Sequence, residues 1–291
     1  MNNKQFYPLI VLIIGIIVGS IGCKIDKVKL NKDLVIACRK GNFVEIQKLL
    51  GKGAYIEVKF KYDGYTHTPL SWAVKNRQME IVKYLISKGA NVNAGINGPE
   101  TTPLMWACKN DDIYLIKYLI SKGAIINPDD NHKSPLLMAT SKAKFDVVKY
   151  LVEHGAYINI KNSDGLTPLI EAVRWGGIEM VKYLVSKGAD INVGGDNIYD
   201  SALIAAAFEN KLDIVRFLIS KGANVNARNG IHFTALMYAA NHGNLEMVRL
   251  LVAHGADINA TSLNTGSPTA LKYAYRNDHT HVVNYLRTVG A

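Results

Sequence analysis

TPLIEAVRWGGIEMVKYLVSKGADIN, residues 167–192, spells out two short helices and the cap that ends the second. Thr167 can supply an N-cap oxygen, and Pro168 falls at the first helical position, where its missing N–H costs nothing. Ala172 lies three residues after Leu169 and is small enough for close helix packing. Ile178, Val181, Leu184 and Val185 then recur at helical spacing, as the apolar stripe of an amphipathic second helix does. Gly188 stops that helix in a left-handed cap that a side chain would oppose, and Asn192 sits in the extended segment beyond it.

Working outward, the same order of features fills the chain. Gly-Ala recurs at Gly53, Gly89, Gly123, Gly155, Gly188, Gly222, Gly255 and Gly290, at intervals of 32 to 36 residues. Openings of the Thr-Pro-Leu kind begin at Thr68, Thr102, Ser134, Thr167, Ser201, Thr234 and Thr269, and Asn follows the Gly-Ala pair at Asn93, Asn127, Asn159, Asn192, Asn226 and Asn259. A fixed period of this length means stacked supersecondary units, each burying its apolar face on its neighbours.

The Thr-Pro-Leu-x-x-Ala and Gly-Ala-x-x-Asn motifs resemble those of the ankyrin repeat, over roughly residues 32–291. The resemblance implies an all-α solenoid of helix-turn-helix units joined by hairpin loops, here eight of them, with the first and last as caps. Thr280 and Arg287 replace apolar residues such as Leu245 and Val252, giving the last unit a polar outer face. The usual His after Thr-Pro-Leu is absent: Ser71, Met105, Leu137, Ile170, Ile204, Met237 and Lys272 stand there. Three segments are expected: 1–22 as signal peptide or membrane anchor, 23–31 as a short basic linker, and 32–291 as the repeat array.

Lys4 precedes an uncharged span from Phe6 to Cys23 that is densest in apolar residues from Leu9 to Val18. Such a segment suits a secretory signal peptide, and its length just reaches that of a spanning helix. Ser20-Ile21-Gly22-Cys23 resembles the bacterial lipobox, which implies acylation of Cys23 in an exported, lipid-anchored bacterial protein. Lys24, Lys27 and Lys29 after the apolar run favour the opposite orientation, an uncleaved helical anchor with the array cytoplasmic.

The 291 residues carry a formal net charge of +10 and are 48% hydrophobic, which excludes a disordered or collagen-like chain. Three cysteines, Cys23, Cys38 and Cys108, make no disulfide framework and no zinc spacing. No phosphate loop, metalloprotease helix or nucleophile elbow occurs, so no catalytic residue, metal or cofactor is expected. Nucleic-acid binding has only the positive charge to recommend it and is not expected.

In ankyrin arrays the concave face is lined by hairpin tips and the ends of first helices. Carried onto this chain, the resemblance places Arg39, Lys40, Lys75, Lys109, Lys142 and Arg174 there as a basic groove, followed by Trp175, Phe208 and His242. Trp175 and Phe208 fall at positions expected to face solvent, where an aromatic beside Arg suits an interface anchor. The expected activity is that of a monomeric, membrane-attached, non-catalytic module binding a protein with an acidic segment. The alternative is a spacer or scaffold at the cell envelope or a host interface.

Overall fold

The computed structural model describes residues 27–62, 65–95, 101–129, 134–193, 201–266 and 268–291. The apolar leader and Cys23 lie outside these. Among the described residues no helix is long and apolar enough to cross a membrane.

The chain forms two compact units, one ending at Ile125 and the other beginning at Ile126. In the first, helix α1 spans residues 27–40 and so takes up residues 27–31, which were expected as linker. It is followed by α2 (Phe43–Gly51), the hairpin β1 (Phe60–Tyr62) and β2 (Tyr65–His67), α3 (Pro69–Lys75), α4 (Met79–Ser87), α5 (Pro103–Lys109) and α6 (Ile113–Ser121). The hairpin is antiparallel, with Phe60 opposite His67.

The second unit runs α7 (Pro135–Ser141), α8 (Phe145–Glu153), α9 (Pro168–Glu171), a π-helical turn (Ala172–Gly176) and α10 (Gly177–Ser186). After these come α11 (Ala202–Phe208), α12 (Leu212–Ser220), α13 (Ala235–Asn241), α14 (Leu245–Ala253), α15 (Ala270–Arg276) and α16 (Thr280–Thr288). First helices stack on first helices, as α11 on α13 and α13 on α15. Second helices do likewise, as α10 on α12, α12 on α14 and α14 on α16.

Each repeated residue has a physical task. The opening Thr or Ser caps its helix: Thr102 Oγ1 accepts from the Met105 N–H at 3.2 Å, and Thr68 and Ser71 form a reciprocal capping box. That box gives Ser71 a local role in the slot where His is usual. The alanines of the first helices, Ala73 and Ala107 in one unit and Ala139, Ala172, Ala206, Ala239 and Ala274 in the other, are fully buried. Gly89 has φ +89°, and its N–H and that of Ala90 close the end of α4 on the Ile86 and Leu85 carbonyls, each at 3.0 Å.

The asparagines stitch one loop to the next. In the first unit Asn93 Nδ2 donates to the Gly123 carbonyl at 2.9 Å, and its Oδ1 accepts the Ile125 N–H at 2.9 Å. In the second unit Asn127, Asn159, Asn192 and Asn226 each make the same pair, Asn226 at 2.9 and 2.7 Å. Glu57 stands in the first such slot and keeps only the acceptor half, taking the Asn91 N–H at 2.8 Å. A primary amide is needed because the next loop presents one carbonyl and one N–H.

Cys38 and Cys108 are buried thiols. Burial pushes Cys38 up to about 12 and raises Cys108 as well, so both act as small apolar core residues. Thr280 and Arg287 are exposed, as a polar outer face requires, while Leu245 and Val252 in the preceding pair are half-buried.

Candidate partner-binding site

The ends of the first helices are short, and their last carbonyls need partners from outside the helix. The following pair supplies them. In the first unit Asn76 Nδ2 donates to the Arg39 carbonyl at 3.0 Å, and Asn110 Nδ2 to that of Lys75 at 2.8 Å. In the second unit His242 Nε2 meets the Phe208 carbonyl at 2.8 Å, and His279 Nε2 meets that of Asn241 at 3.0 Å. His242 was expected in the groove. It stays exposed, and its ring also links neighbouring helix pairs.

In the first unit Arg39, Lys40 and Lys109 are exposed and Lys75 is half-buried. The buried His67 ring lies 4.2 Å from the Trp72 ring and 5.6 Å from that of Trp106, between centroids. Lys75 Nζ sits 4.5 Å from the Trp72 ring and 4.9 Å from that of Trp106, and Lys109 Nζ is 4.8 Å from Trp106. The two tryptophans therefore hold the lysine heads over their faces.

In the second unit Lys142 is exposed, Arg174 half-buried, and Trp175 is 56% exposed. Phe208 departs from expectation. It is half-buried and meets Tyr238 edge-on, with centroids 5.3 Å apart, because the next first helix carries a tyrosine where it can cover the ring.

Around Trp175 the geometry is unlike that of any other helix pair described. In the neighbouring pairs the residue before the second helix's N-cap is left-handed: Arg77, Asp111, Ala143, Asn210 and Asp278 have φ between 54° and 61°. At the matching place Gly176 has φ −90°, and Gly177 takes the left-handed conformation at +74° instead. With its π-turn the first helix reaches Gly176, two residues beyond the point where α3, α5, α7, α11, α13 and α15 end, and the exposed Trp175 lies in its last turn. Lys211 Nζ donates to the Val173 and Arg174 carbonyls, both at 2.7 Å, placing a cation on the negative end of that helix.

One helical turn before Trp175 lies Glu171, only 6% exposed. Arg174 Nη1 approaches Glu171 Oε2 at 3.6 Å, an ion-pair contact too long for a hydrogen bond, and its guanidinium covers the Trp175 ring at 5.0 Å. Burial pushes the Glu171 pKa up, and Asp164 adds to the rise. Arg174, Trp175 and Lys142 pull it down, without cancelling the burial. Glu171, Gly177 and Lys211 were not among the residues read as functional. The visible signal was Glu171 itself, in a slot held by Trp72, Trp106, Met138, Ala205, Tyr238 or Tyr273 elsewhere.

The family described as ankyrin repeats (3 copies) matches residues 12–96, 94–162, 155–229 and 203–291. This chain belongs to the ankyrin-repeat family. Its capped helix pairs, left-handed glycines and asparagine stitches are the physical content of that membership. A stretch of 50 residues is 40% identical to transient receptor potential cation channel subfamily A member 1 of Homo sapiens, covering 17% of this chain and 4% of that protein. The matched region is thus a small part of that relative's length. Ankyrin repeats are general protein-interaction modules, and the family is typically non-enzymatic.

Proposed function

We propose that this chain is a non-catalytic interaction module that docks an acidic segment of a partner protein on the ends of its first helices. The observation that carries this reading is where positive charge is neutralised and where it is kept. On the second helices, Lys83, Lys149, Lys182 and Arg216 form ion pairs with Glu80, Asp146, Glu179 and Glu246 at 2.8 to 3.4 Å. At the first-helix ends, Lys109 rests on an indole face, and Lys40 and Lys142 are exposed. Charge held in this way steers an acidic partner and fixes its register.

The test is partner recovery with charge reversals on either face. Lys40→Glu with Lys109→Glu in the first unit, and separately Lys142→Glu in the second, are each expected to weaken recovery of a partner that the wild type retains. Lys83→Glu, Lys117→Glu and Lys182→Glu together are expected to leave it unchanged. Equal loss from both sets would overturn the assignment of the face.

The same reading attaches the chain to a membrane through residues 1–22, with Cys23 as the acylated position of an exported protein. Its support is the uncharged span from Phe6 to Cys23 and the small residues just before that cysteine. Acyl chains contribute about 0.8 kcal/mol per buried methylene, so loss of the thiol should release the chain to the soluble fraction. Unchanged partitioning and processing of Cys23→Ala would leave the retained helix, with the array on the cytoplasmic side, as the anchor.

A further inference from the structure

The first unit begins differently from the helix pairs that follow it. Helix α1, at residues 27–40, is twice as long as α3 or α5, which have seven residues each. Its extra turns do the work of a preceding loop. Asn31 Oδ1 accepts the Tyr55 N–H at 2.7 Å, as Glu57 and Asn93 of the loops accept those of Asn91 and Ile125.

Beside that stitch opens a cleft of about 550 Å³. Lys27 and Asn31 of α1, Leu50 of α2, Tyr55, Tyr84 of α4 and Lys88, the residue that caps α4, line it. Among the described residues its lining holds two lysines and no carboxylate. Both lysines are exposed, and Lys88 Nζ lies 5.5 Å from the Tyr84 ring. A concave site walled by one sign of charge focuses the field and gathers ions of the other sign. Lysine serves phosphate as a point charge, and the Asn31 amide adds polar capacity beside it.

The position of the cleft along the chain decides which anion reaches it. Cys23 ends the uncharged span, and four residue steps separate it from Lys27. Even fully extended, those steps cover about 14 Å, so an anchor in that span keeps the start of α1 close to the headgroups. Val28, 70% exposed, stands between Lys27 and the exposed Lys29. An apolar side chain between cations suits the boundary of headgroups and acyl chains.

We infer that this cleft receives the phosphate of an anionic phospholipid headgroup, with Lys27 and Lys88 as its counter-charges. The inference rests on the membrane attachment proposed above and names the lipid chemistry that the array itself recognises.

The experiment reconstitutes the full chain into vesicles of phosphatidylcholine and phosphatidylglycerol in equal parts, with one lipid or the other radiolabelled. Benzoylphenylalanine replaces Tyr55 in the cleft, or Tyr157, which holds the same place after Gly155-Ala156 in the second unit. Position 55 should capture phosphatidylglycerol in preference to phosphatidylcholine, and position 157 should capture neither. Lys27→Gln and Lys88→Gln should each lower that capture about fivefold, the effect of one lysine near an anionic surface. Lys122→Gln, at the matching cap of α6, should leave it unchanged. Flotation with the vesicles should survive all three substitutions, because the apolar span retains the chain. Equal capture of the two lipids at position 55 overturns headgroup recognition, and so does capture that neither Lys27→Gln nor Lys88→Gln lowers. Equal capture at positions 55 and 157 overturns the cleft. Flotation without capture at position 55 overturns this inference and leaves the membrane attachment standing. A wild-type chain that does not float overturns the attachment, and this inference with it.

Discussion

At Glu171 burial raises the carboxyl pKa above the ordinary 4.5, although Arg174, Trp175 and Lys142 pull it down. The folded state therefore binds this proton more tightly than the unfolded chain does. Stability from this group is highest below the unfolded value and is lost as pH rises through the raised folded one. Glu171→Gln removes that dependence. Its urea midpoint should lie above that of the wild type at pH 8, with the gap closing as pH falls toward 4.5. A gap that widens on acidification would contradict the burial argument. Cys38, raised to about 12, and Cys108, buried at 0% exposure, should both resist iodoacetamide in the native chain at pH 8 and react once it is unfolded.

Between one helix and the next, two devices recur and can be tested separately. The left-handed residue before a second helix is often not glycine. Ala143 adopts φ 55° there, a conformation that costs a side chain roughly 1 kcal/mol. Ala143→Gly, at this exposed position, should raise stability by a few tenths of a kcal/mol to about 1, less the extra freedom of the unfolded chain, as read by denaturant midpoint. Asn226 makes both halves of the loop stitch, so Asn226→Ala should cost about 1–2 kcal/mol by the same measurement. Motifs of this kind were legible from sequence, because Thr-Pro-Leu, Gly-Ala and Asn each answer a local backbone need that any copy must meet. The π-turn was not. Gly176 and Gly177 are both able to turn left, and the turn that forms takes hydrogen bonds from Lys211 of the next helix pair, a partner no local motif announces. Phe208 was misread for a related reason: its exposure depends on Tyr238, a residue 30 positions further along the chain.

Over the whole molecule, the net charge of +10 matters less than its placement. Ion pairs neutralise Lys83, Lys149, Lys182 and Arg216 on the second helices, while Lys40, Lys109 and Lys142 at first-helix ends are exposed. Binding through that face should weaken steeply with added salt, since exposed charges are screened beyond about 8 Å at physiological ionic strength. A partner held on the second-helix stripe would show a flat response. The most direct measurement is photocrosslinking with benzoylphenylalanine placed singly at positions 142, 175, 182 and 216 of the full chain. Positions 142 and 175, on first-helix ends, should capture the bound partner, and positions 182 and 216, on second helices, should not. Capture from 182 and 216 with none from 142 and 175 would contradict the account.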